Sequence, residues 1–320
     1  MIPALSRDLV SLDAICDAAE RIAPFVARTP VAPMVPSGLG LKAESLQPVG
    51  AFKIRGAFNA ILSLTEKDRR HGVIAHSSGN HAQAVAYAAQ RLGIKAVIVI
   101  PDNAPLVKVE ATRRWGAEVH LVDFRGNTRY DTCAALAREH GYVMIEPFNA
   151  EAIIAGTGTI GLELLAQRPN LTAVYVPVSG GGLISGVAAA IKQKRSDVQV
   201  IGVEPECAND AAQSFRAGRL VHISPEETVR TIADGLRVSQ LGEIPWRHIR
   251  TYVDDIVTVT ELQIRDAVRR IAAEARLVAE PSGATAAAAA LAVDGYLNES
   301  VAILSGGNVD PKLYAQIIGT

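Results

Sequence analysis

From about residue 72 onward, short β-branched runs alternate with longer alanine-rich segments, and this rhythm constrains the fold more than any other feature of the chain. It is the pattern of strand, crossover helix and parallel strand, so it predicts an α/β architecture built on mainly parallel sheets. Strands are expected at 73–76, 96–100, 118–122, 142–145, 173–178, 198–203, 256–259 and 301–304. Between them, 82–92, 127–140, 153–167, 183–194 and 262–276 read as helices, often with Ser, Thr, Asn or Gly where each begins. The alanine-dense stretch 284–292 reads as a closely packed buried helix. No Pro/Gly/Ser-rich spacer divides the 320 residues, so a second domain has to be an insertion. The expected division is a small inserted domain of residues 72–149 within a large domain of residues 1–71 and 150–320.

The 32 Lys and Arg stand against 33 Asp and Glu, a formal net charge of −1. That balance offers no basic field for a nucleic acid and no polybasic stretch for a membrane surface, so a small-molecule substrate is expected. Cys16, Cys133 and Cys207 are odd in number and far apart, without the Cys-x-x-Cys spacing of zinc or redox sites, which fits a reducing cytoplasm. The start, Met1-Ile2-Pro3-Ala4-Leu5-Ser6-Arg7-Asp8, lacks the apolar core of a signal peptide. The most apolar stretch, 284–293, is about half a membrane span.

Four glycine-containing turns follow expected strands, where open parallel sheets bind ligands. They are Ser77-Ser78-Gly79-Asn80-His81, Ser179-Gly180-Gly181-Gly182, Pro281-Ser282-Gly283-Ala284 and Ser305-Gly306-Gly307-Asn308. Gly and Ser turn any chain at little cost, yet four such turns at strand ends favour a shared cleft. The Ser179–Gly182 turn precedes a helix, so several backbone N–H groups can face one anion, as a phosphate cup requires. Its spacing is not Gly-x-Gly-x-x-Gly and no Gly-Lys-Ser/Thr follows, which points away from dinucleotides and triphosphates and toward a ligand with one small phosphate. In the Ser77–His81 turn, hydroxyls and an amide offer donors to a carboxylate or phenolate oxygen; Asn80 or Ser78 as a helix N-cap, and His81 as a packed histidine, is the simpler reading.

Lys53 lies in Gly50-Ala51-Phe52-Lys53-Ile54-Arg55-Gly56, between an aromatic ring and two glycines. An amine that bonds to an aldehyde needs close backbone approach, exclusion of water and a lowered pKa. A surface lysine opening a helix is the alternative. Farther on, Glu204-Pro205-Glu206-Cys207-Ala208-Asn209-Asp210 puts two carboxylates six residues apart across a turn, oxygens that suit a divalent cation or simply face solvent.

Together these segments resemble one family, the fold-type II pyridoxal-phosphate enzymes of the serine/threonine dehydratase (threonine ammonia-lyase) and serine racemase group. Lys42-Ala43-Glu44-Ser45-Leu46-Gln47 with the Lys53 segment is similar to the family's lysine signature, and Ser77–Gln83 to its substrate loop. Ile154-Ala155-Gly156-Thr157-Gly158-Thr159, Ser179–Leu183, Glu280–Ala284 and Ser305-Gly306-Gly307-Asn308-Val309-Asp310 follow in the family's order, over roughly residues 20 to 312. The resemblance implies a fold like the tryptophan synthase β chain, two open twisted sheets with flanking helices and the smaller domain inserted in the larger. It implies Lys53 as the Schiff-base lysine, Phe52 beside the cofactor ring, Asn80 at the phenolic oxygen and Ser305 at the pyridine nitrogen. Ser179, Gly180, Gly181, Gly182 and Leu183 would form the phosphate site, with Gly235 near the ring. Ser77, Ser78, Gly79, Asn80 and His81 would meet the substrate, Ser78 from the face opposite Lys53. Relatives resembling serine racemase imply a divalent cation (Mg²⁺, Ca²⁺ or Mn²⁺) held by Glu204, Asp210 and the Ala208 carbonyl, steadying the loop near the phosphate cup.

Two segments depart from the family pattern. Ser179 replaces the dehydratases' usual glycine and adds a hydroxyl, with phosphate binding expected to persist. The common Pro-Phe-Asp-Asp reads Pro147-Phe148-Asn149-Ala150, which implies a changed polar contact close to the substrate.

The implied activity is a carbon–oxygen lyase that converts L-threonine and/or L-serine to a 2-oxo acid and ammonia, with Lys53 as general base at Cα. The cofactor phosphate or a nearby acid would protonate the leaving hydroxyl. Serine racemisation through Ser78 is the alternative, as is ammonia loss from threo-3-hydroxyaspartate, whose second carboxylate needs a cation such as Arg129 or His81. A catalytically silent ligand sensor on the same fold is the remote alternative, which the presence of Lys53 disfavours. The family resemblance also implies a homodimer, and an end at Thr320 leaves no room for a C-terminal regulatory domain.

Overall fold

The computed structural model describes residues 9–319 apart from 105, 124–127, 294 and 296. Its strands, in chain order, are β1 (Val31–Pro33), β2 (Gly40–Ala43), β3 (Val73–His76), β4 (Ala96–Pro101), β5 (Glu118–Val122), β6 (Val143–Met144), β7 (Ala173–Pro177), β8 (Gln199–Pro205), β9 (Asp255–Val259) and β10 (Ser300–Leu304). They form a six-stranded sheet of order β1-β2-β10-β7-β8-β9 and a four-stranded sheet of order β5-β4-β3-β6. Only β1 runs antiparallel to its neighbour among these pairings. All eight expected strands are present, with ends displaced by no more than two residues. β1 and β2 escaped notice because they are short and carry Pro33, Gly40 and Lys42, residues that do not read as a buried strand.

The inner strands of both sheets, β4, β7 and β10 among them, are covered on both faces, which is why they read as near-continuous apolar runs, while the edge strand β5 is largely exposed. In the large sheet, Ala173 and Tyr175 of β7 and Ala302 and Leu304 of β10 face the alanine-rich helix Pro281–Ala290. The alternate residues Val174, Val176, Val301 and Ile303 face the helix Gly182–Lys194. Every residue of Pro281–Ala290 is buried, as its composition predicts, since a helix without long side chains packs close to a sheet. In the small sheet, Val73, Ala75 and Ile98 pack with Ile54, Ala57, Phe58 and Ile61 of the helix Lys53–Leu62.

The expected helices appear as Asn80–Arg91, Thr128–His140, Glu151–Gln167 and Gly182–Lys194; residue 127 lies outside the described residues. The helix expected at 262–276 is Glu261–Arg270, continued by one π-turn, Ile271–Ala275, and ended by Arg276 at φ +57°. No helix among the described residues is long and apolar enough to cross a membrane.

Helices Glu151–Gln167 and Gly182–Lys194 touch backbone to backbone, for a Cβ on Gly186 would fall 2.3 Å from the Ile154 carbonyl oxygen. Helix Lys53–Leu62 approaches Glu151–Gln167 as closely, with a Cβ on Gly156 falling 2.6 Å from the Arg55 carbonyl oxygen. A buried ionic cluster locks this second pair. Arg55, fully buried, donates to Glu44 through Nε at 2.8 Å and Nη2 at 2.9 Å, and to Glu163 through Nη1 at 2.7 Å. Lys42, also fully buried, donates to Glu163 at 2.5 Å and to the Thr29 carbonyl at 2.7 Å. Two cations thus face two carboxylates, which offsets the desolvation that would otherwise expel them from the interior.

Candidate active site

The chain enters helix Lys53–Leu62 through a turn at Gly50, whose φ of +71° suits only glycine at low cost. Ala51 bridges to Gly306, and the Phe52 N–H donates to the Ser305 carbonyl at 3.0 Å. Lys53 is therefore the first residue of a helix anchored against the turn that follows β10. Its Nζ donates to the Pro147 carbonyl at 2.7 Å and lies 5.2 Å from the centre of the Phe52 ring. Burial lowers this amine to about 8.

A cavity of about 310 Å³ opens beside Lys53 at the C-terminal ends of β3, β7 and β10. Its wall includes Phe52, Lys53, residues 77–81, residues 179–183, Gly235 and Ser305. The turns at 77–81, 179–182 and 305–308, separate in sequence, thus share one cleft. From the Pro281 turn only Ser282 reaches the wall, joined by Glu280 just before it. Gly283 serves packing, for a Cβ there would sit 2.1 Å from the Gly306 carbonyl oxygen.

The glycine cup is shaped by Phe148. A Cβ on Gly180 or Gly182 would meet that residue at 2.4 or 2.9 Å, and Gly181 adopts φ +89°. Ser179 sits at φ +55°, the left-handed region, which accounts for glycine being the family's usual choice. Its hydroxyl donates to the Gly235 carbonyl at 3.1 Å, so the added donor ties two parts of the wall together. Beyond the cup, the first N–H groups of helix Gly182–Lys194 have no partner within their own helix, and Gly182 and Leu183, where it begins, line the same cavity.

The Ser77–His81 turn differs from its simplest reading. The N-cap of helix Asn80–Arg91 is Gly79, and neither Ser78 nor Asn80 caps it. Asn80 instead donates from Nδ2 to Glu280 Oε1 at 2.6 Å and accepts at Oδ1 from Asn308 Nδ2 at 2.8 Å. The Ser77 hydroxyl accepts from the Gly79 N–H at 3.2 Å, while the Ser78 hydroxyl has no partner among the described residues. His81 is buried, with Nε2 at 2.9 Å from the Ile145 carbonyl, and burial with the nearby Lys53 charge drives it down to about 3. It is a neutral, packed imidazole that donates to that carbonyl, so the expectation of a His81 cation for a second substrate carboxylate is corrected.

Arg129 does line the cavity, without a hydrogen-bond or ion-pair partner among the described residues. Beside it, His76 has a buried Nε2 with no hydrogen-bond partner among the described residues, and burial and the Arg129 charge hold its imidazole below the usual histidine range. Asn149 is not in the wall. Its Oδ1 accepts from the Ile244 N–H at 3.0 Å, so Asn149 holds backbone outside the cavity where a contact near the substrate was expected.

Glu204, Ala208 and Asp210 lie outside the cavity and are buried. Glu204 Oε2 accepts from the Ala212 N–H at 2.9 Å, but among the described residues Glu204 Oε1 and both Asp210 carboxyl oxygens have no partner in full hydrogen-bond geometry, the Leu241 backbone acting on Asp210 more weakly. Burial lifts both groups above the ordinary carboxylate range, with the Asp210 charge also acting on Glu204. Among the described residues no cluster of three or more His, Cys, Asp or Glu is poised for a metal.

Glu280, Asn308, Lys108 and Asp234 also belong to the wall, and reading the sequence did not single them out as site residues. Glu280 stood within a recognised segment; Lys108 and Asp234, which pair across the cleft, carried no local signal.

A family profile described as pyridoxal-phosphate dependent enzyme matches residues 20–306. L-threo-3-hydroxyaspartate ammonia-lyase of Saccharomyces cerevisiae is 43% identical over 312 residues, covering 95% of each chain. L-threonine ammonia-lyase of Thermotoga maritima is 44% identical over 279 residues, covering 87% of this chain and 69% of that protein. The structure of maize serine racemase superposes with a TM-score of 0.91 at 41% identity, covering 96% of both chains. With a profile spanning most of its length, a fold shared with maize serine racemase and a lysine buried beside a glycine cup, the chain belongs to the pyridoxal-phosphate dependent enzyme family.

Proposed function

We propose that the chain is an ammonia-lyase that removes the β-hydroxyl of L-threonine and/or L-serine, giving a 2-oxo acid and ammonia. The observation that carries this reading is the Lys53 amine, held by a single carbonyl in the cavity wall and lowered to about 8 by burial. A lysine so placed titrates close to neutral pH, where a share of it is free amine able to take a proton.

The residues present fit the cofactor. The glycine cup and free N–H groups at the start of helix Gly182–Lys194 suit its phosphate without a cationic side chain. Ser305, 5% exposed, suits the ring nitrogen with a neutral hydroxyl, Asn80 keeps one N–H for the ring oxygen, and Phe52, in the cavity wall, would pack beside the ring. When bound, pyridoxal phosphate supplies a carbonyl for the substrate amine and a sink for charge at Cα. Lys53 takes the proton from Cα, and its lowered pKa raises the share of free amine available for that step near neutral pH. The Ser77–His81 turn orients the substrate carboxylate through hydroxyl and backbone donors, and the enclosing walls keep water from the reacting carbon.

Two further readings rest on specific observations. The unpartnered Ser78 hydroxyl favours racemisation, in which it returns a proton to Cα from the side opposite Lys53. Arg129, in the wall and without an ion-pair partner among the described residues, favours 3-hydroxyaspartate, whose second carboxylate it would meet, in keeping with the yeast relative's activity. One assay separates the three: 2-oxo acid and enantiomer composition measured together on L-serine, D-serine, L-threonine and both threo-3-hydroxyaspartates. Ketoacid from threonine or serine without inversion supports the lyase, while Lys53→Ala should lower turnover by about 10³-fold or more. Full activity in Lys53→Ala would refute it.

The same proposal includes a divalent cation, Mg²⁺, Ca²⁺ or Mn²⁺, on Glu204, Asp210 and the Ala208 carbonyl. The unpartnered carboxyl oxygens support it, with water completing an oxygen shell. The link to the cup runs through Leu241, whose backbone acts on the Asp210 carboxyl and whose side chain packs on Gly181, and Gly242, whose N–H donates to the Gly180 carbonyl at 3.2 Å. Each ion should raise the melting temperature by about 3 °C or more over chelator, and Asp210→Asn should erase the response. Identical melting with chelator and with all three ions would remove the cation. A homodimer, to be checked by sedimentation, and residence in the cytoplasm complete the reading.

A further inference from the structure

Glu280 is a buried titratable group in the cavity wall that the chemistry above leaves unused. It occupies the N-cap of helix Pro281–Ala290, where a glutamate side chain could fold back on the helix, yet no side-chain cap forms. The carboxyl turns toward the cavity instead, 5% of the residue remaining exposed, and Oε1 accepts from Asn80 Nδ2 at 2.6 Å. The Glu280 N–H donates to the Gly306 carbonyl at 3.1 Å, so its backbone is pinned to the turn that carries Ser305. A Cβ on Gly306 would lie 2.1 Å from Oε1, so glycine at 306 leaves the space this carboxyl fills.

On its other side, the Asn80 amide accepts from Asn308 Nδ2 at 2.8 Å, and Asn308 Nδ2 also donates to the Val49 carbonyl at 2.8 Å. An acceptor on one side and a donor on the other select one of the two orientations open to an asparagine amide. With Oδ1 and one N–H committed, the second N–H of Nδ2 remains.

We propose that Glu280 is a positioning residue: with Asn308 it holds the Asn80 amide so that its spare N–H serves as donor to the bound cofactor's ring oxygen. The inference rests on the proposed role of Asn80 at that oxygen. Burial raises the Glu280 carboxyl to about 7; Asp234 adds repulsion, while the Asn80 hydrogen bond and Lys108 act the other way. These are the groups that face it, from the Asp234–Leu236 turn and from helices Asn80–Arg91 and Leu106–Arg114. The sign follows. Above about pH 7 the carboxylate can only accept and holds the amide in one orientation; below it, the protonated carboxyl can also donate, and the hold on that orientation weakens.

The test uses the full chain saturated with pyridoxal phosphate, in wild type, Glu280→Gln, Glu280→Ala and Asn80→Ala. The visible absorbance of the bound cofactor is titrated with pH, alongside cofactor affinity and thermal melting. The wild-type band should shift with an inflection near pH 7. Glu280→Gln, whose carbonyl still accepts from Asn80, should keep the band and lose the inflection. Glu280→Ala should displace the band and weaken cofactor binding by about tenfold. A folded Glu280→Ala with wild-type band, inflection and affinity overturns the inference. If that variant does not fold, an inflection retained in Glu280→Gln overturns it. Failures are separable: no wild-type band with added cofactor defeats the functional reading and this inference with it. A band unchanged in Asn80→Ala defeats the Asn80 contact, and one changed in Asn80→Ala but not in Glu280→Ala defeats the role of Glu280 alone.

Discussion

Ser179 adopts φ +55°, where an L-residue is strained by roughly 1–2 kcal/mol, and its hydroxyl donates to the Gly235 carbonyl at 3.1 Å. One hydrogen bond of about 1 kcal/mol offsets most of that strain. Removing both features should therefore cost less than removing the bond alone. Ser179→Gly should stay within about 1 kcal/mol of wild type, while Ser179→Ala, which keeps the strain and loses the bond, should fall below Ser179→Gly by about 1 kcal/mol. Urea denaturation of the two variants gives the comparison, and equal stabilities would show that the backbone there is unstrained. At this scale the sequence was partly legible. Lys53, Ser179 and Ser305 announce themselves through glycine-rich neighbours, because turn chemistry is local. Glu280 does not, because what matters is its contact with Asn80, 200 residues away in the chain.

Helices were legible where apolar composition or capping residues marked them, and obscure where a partner decided. Lys53–Leu62 carries a fully buried Arg55 and a nearly buried Asn59, which read as surface residues until Glu44, Glu163 and the Ala152 carbonyl are seen to receive them. The glycines flanking Lys53 have a similar lesson. Gly50 turns the chain, but Gly56 faces Ile153 of the next helix, 3.1 Å from where a Cβ would sit, so it serves helix packing and not cofactor access. The tightest helix contact yields a prediction. Gly186→Ala would set a methyl 2.3 Å from the Ile154 carbonyl oxygen and 2.5 Å from the Gly158 nitrogen, both backbone atoms that cannot swing aside. It should destabilise the fold by about 3 kcal/mol in denaturant titration, against about 1 kcal/mol for Gly93→Ala at a turn with nothing near but a positive φ to strain. Equal losses would show that these helices are not in backbone contact.

Across the whole molecule, the parallel α/β architecture followed from the period of the sequence, because a strand covered on both faces must be apolar throughout and a parallel neighbour must be reached by a crossover. Turn residues at strand ends likewise marked where a ligand would bind, since the C-terminal edge of a parallel sheet is where such turns gather. Those signals are written within a few residues of one another. Tertiary structure alone decided which turns converge: those after β3, β7 and β10 share the cavity, while the acidic turn after β8 lies buried apart from it. It alone joined Lys108 to Asp234 across the cleft and lowered the Lys53 amine to about 8. Partner identity and desolvation depend on groups brought together from distant parts of the chain, so a local pattern can name the reactive residues but only the folded interior sets their charge, orientation and company.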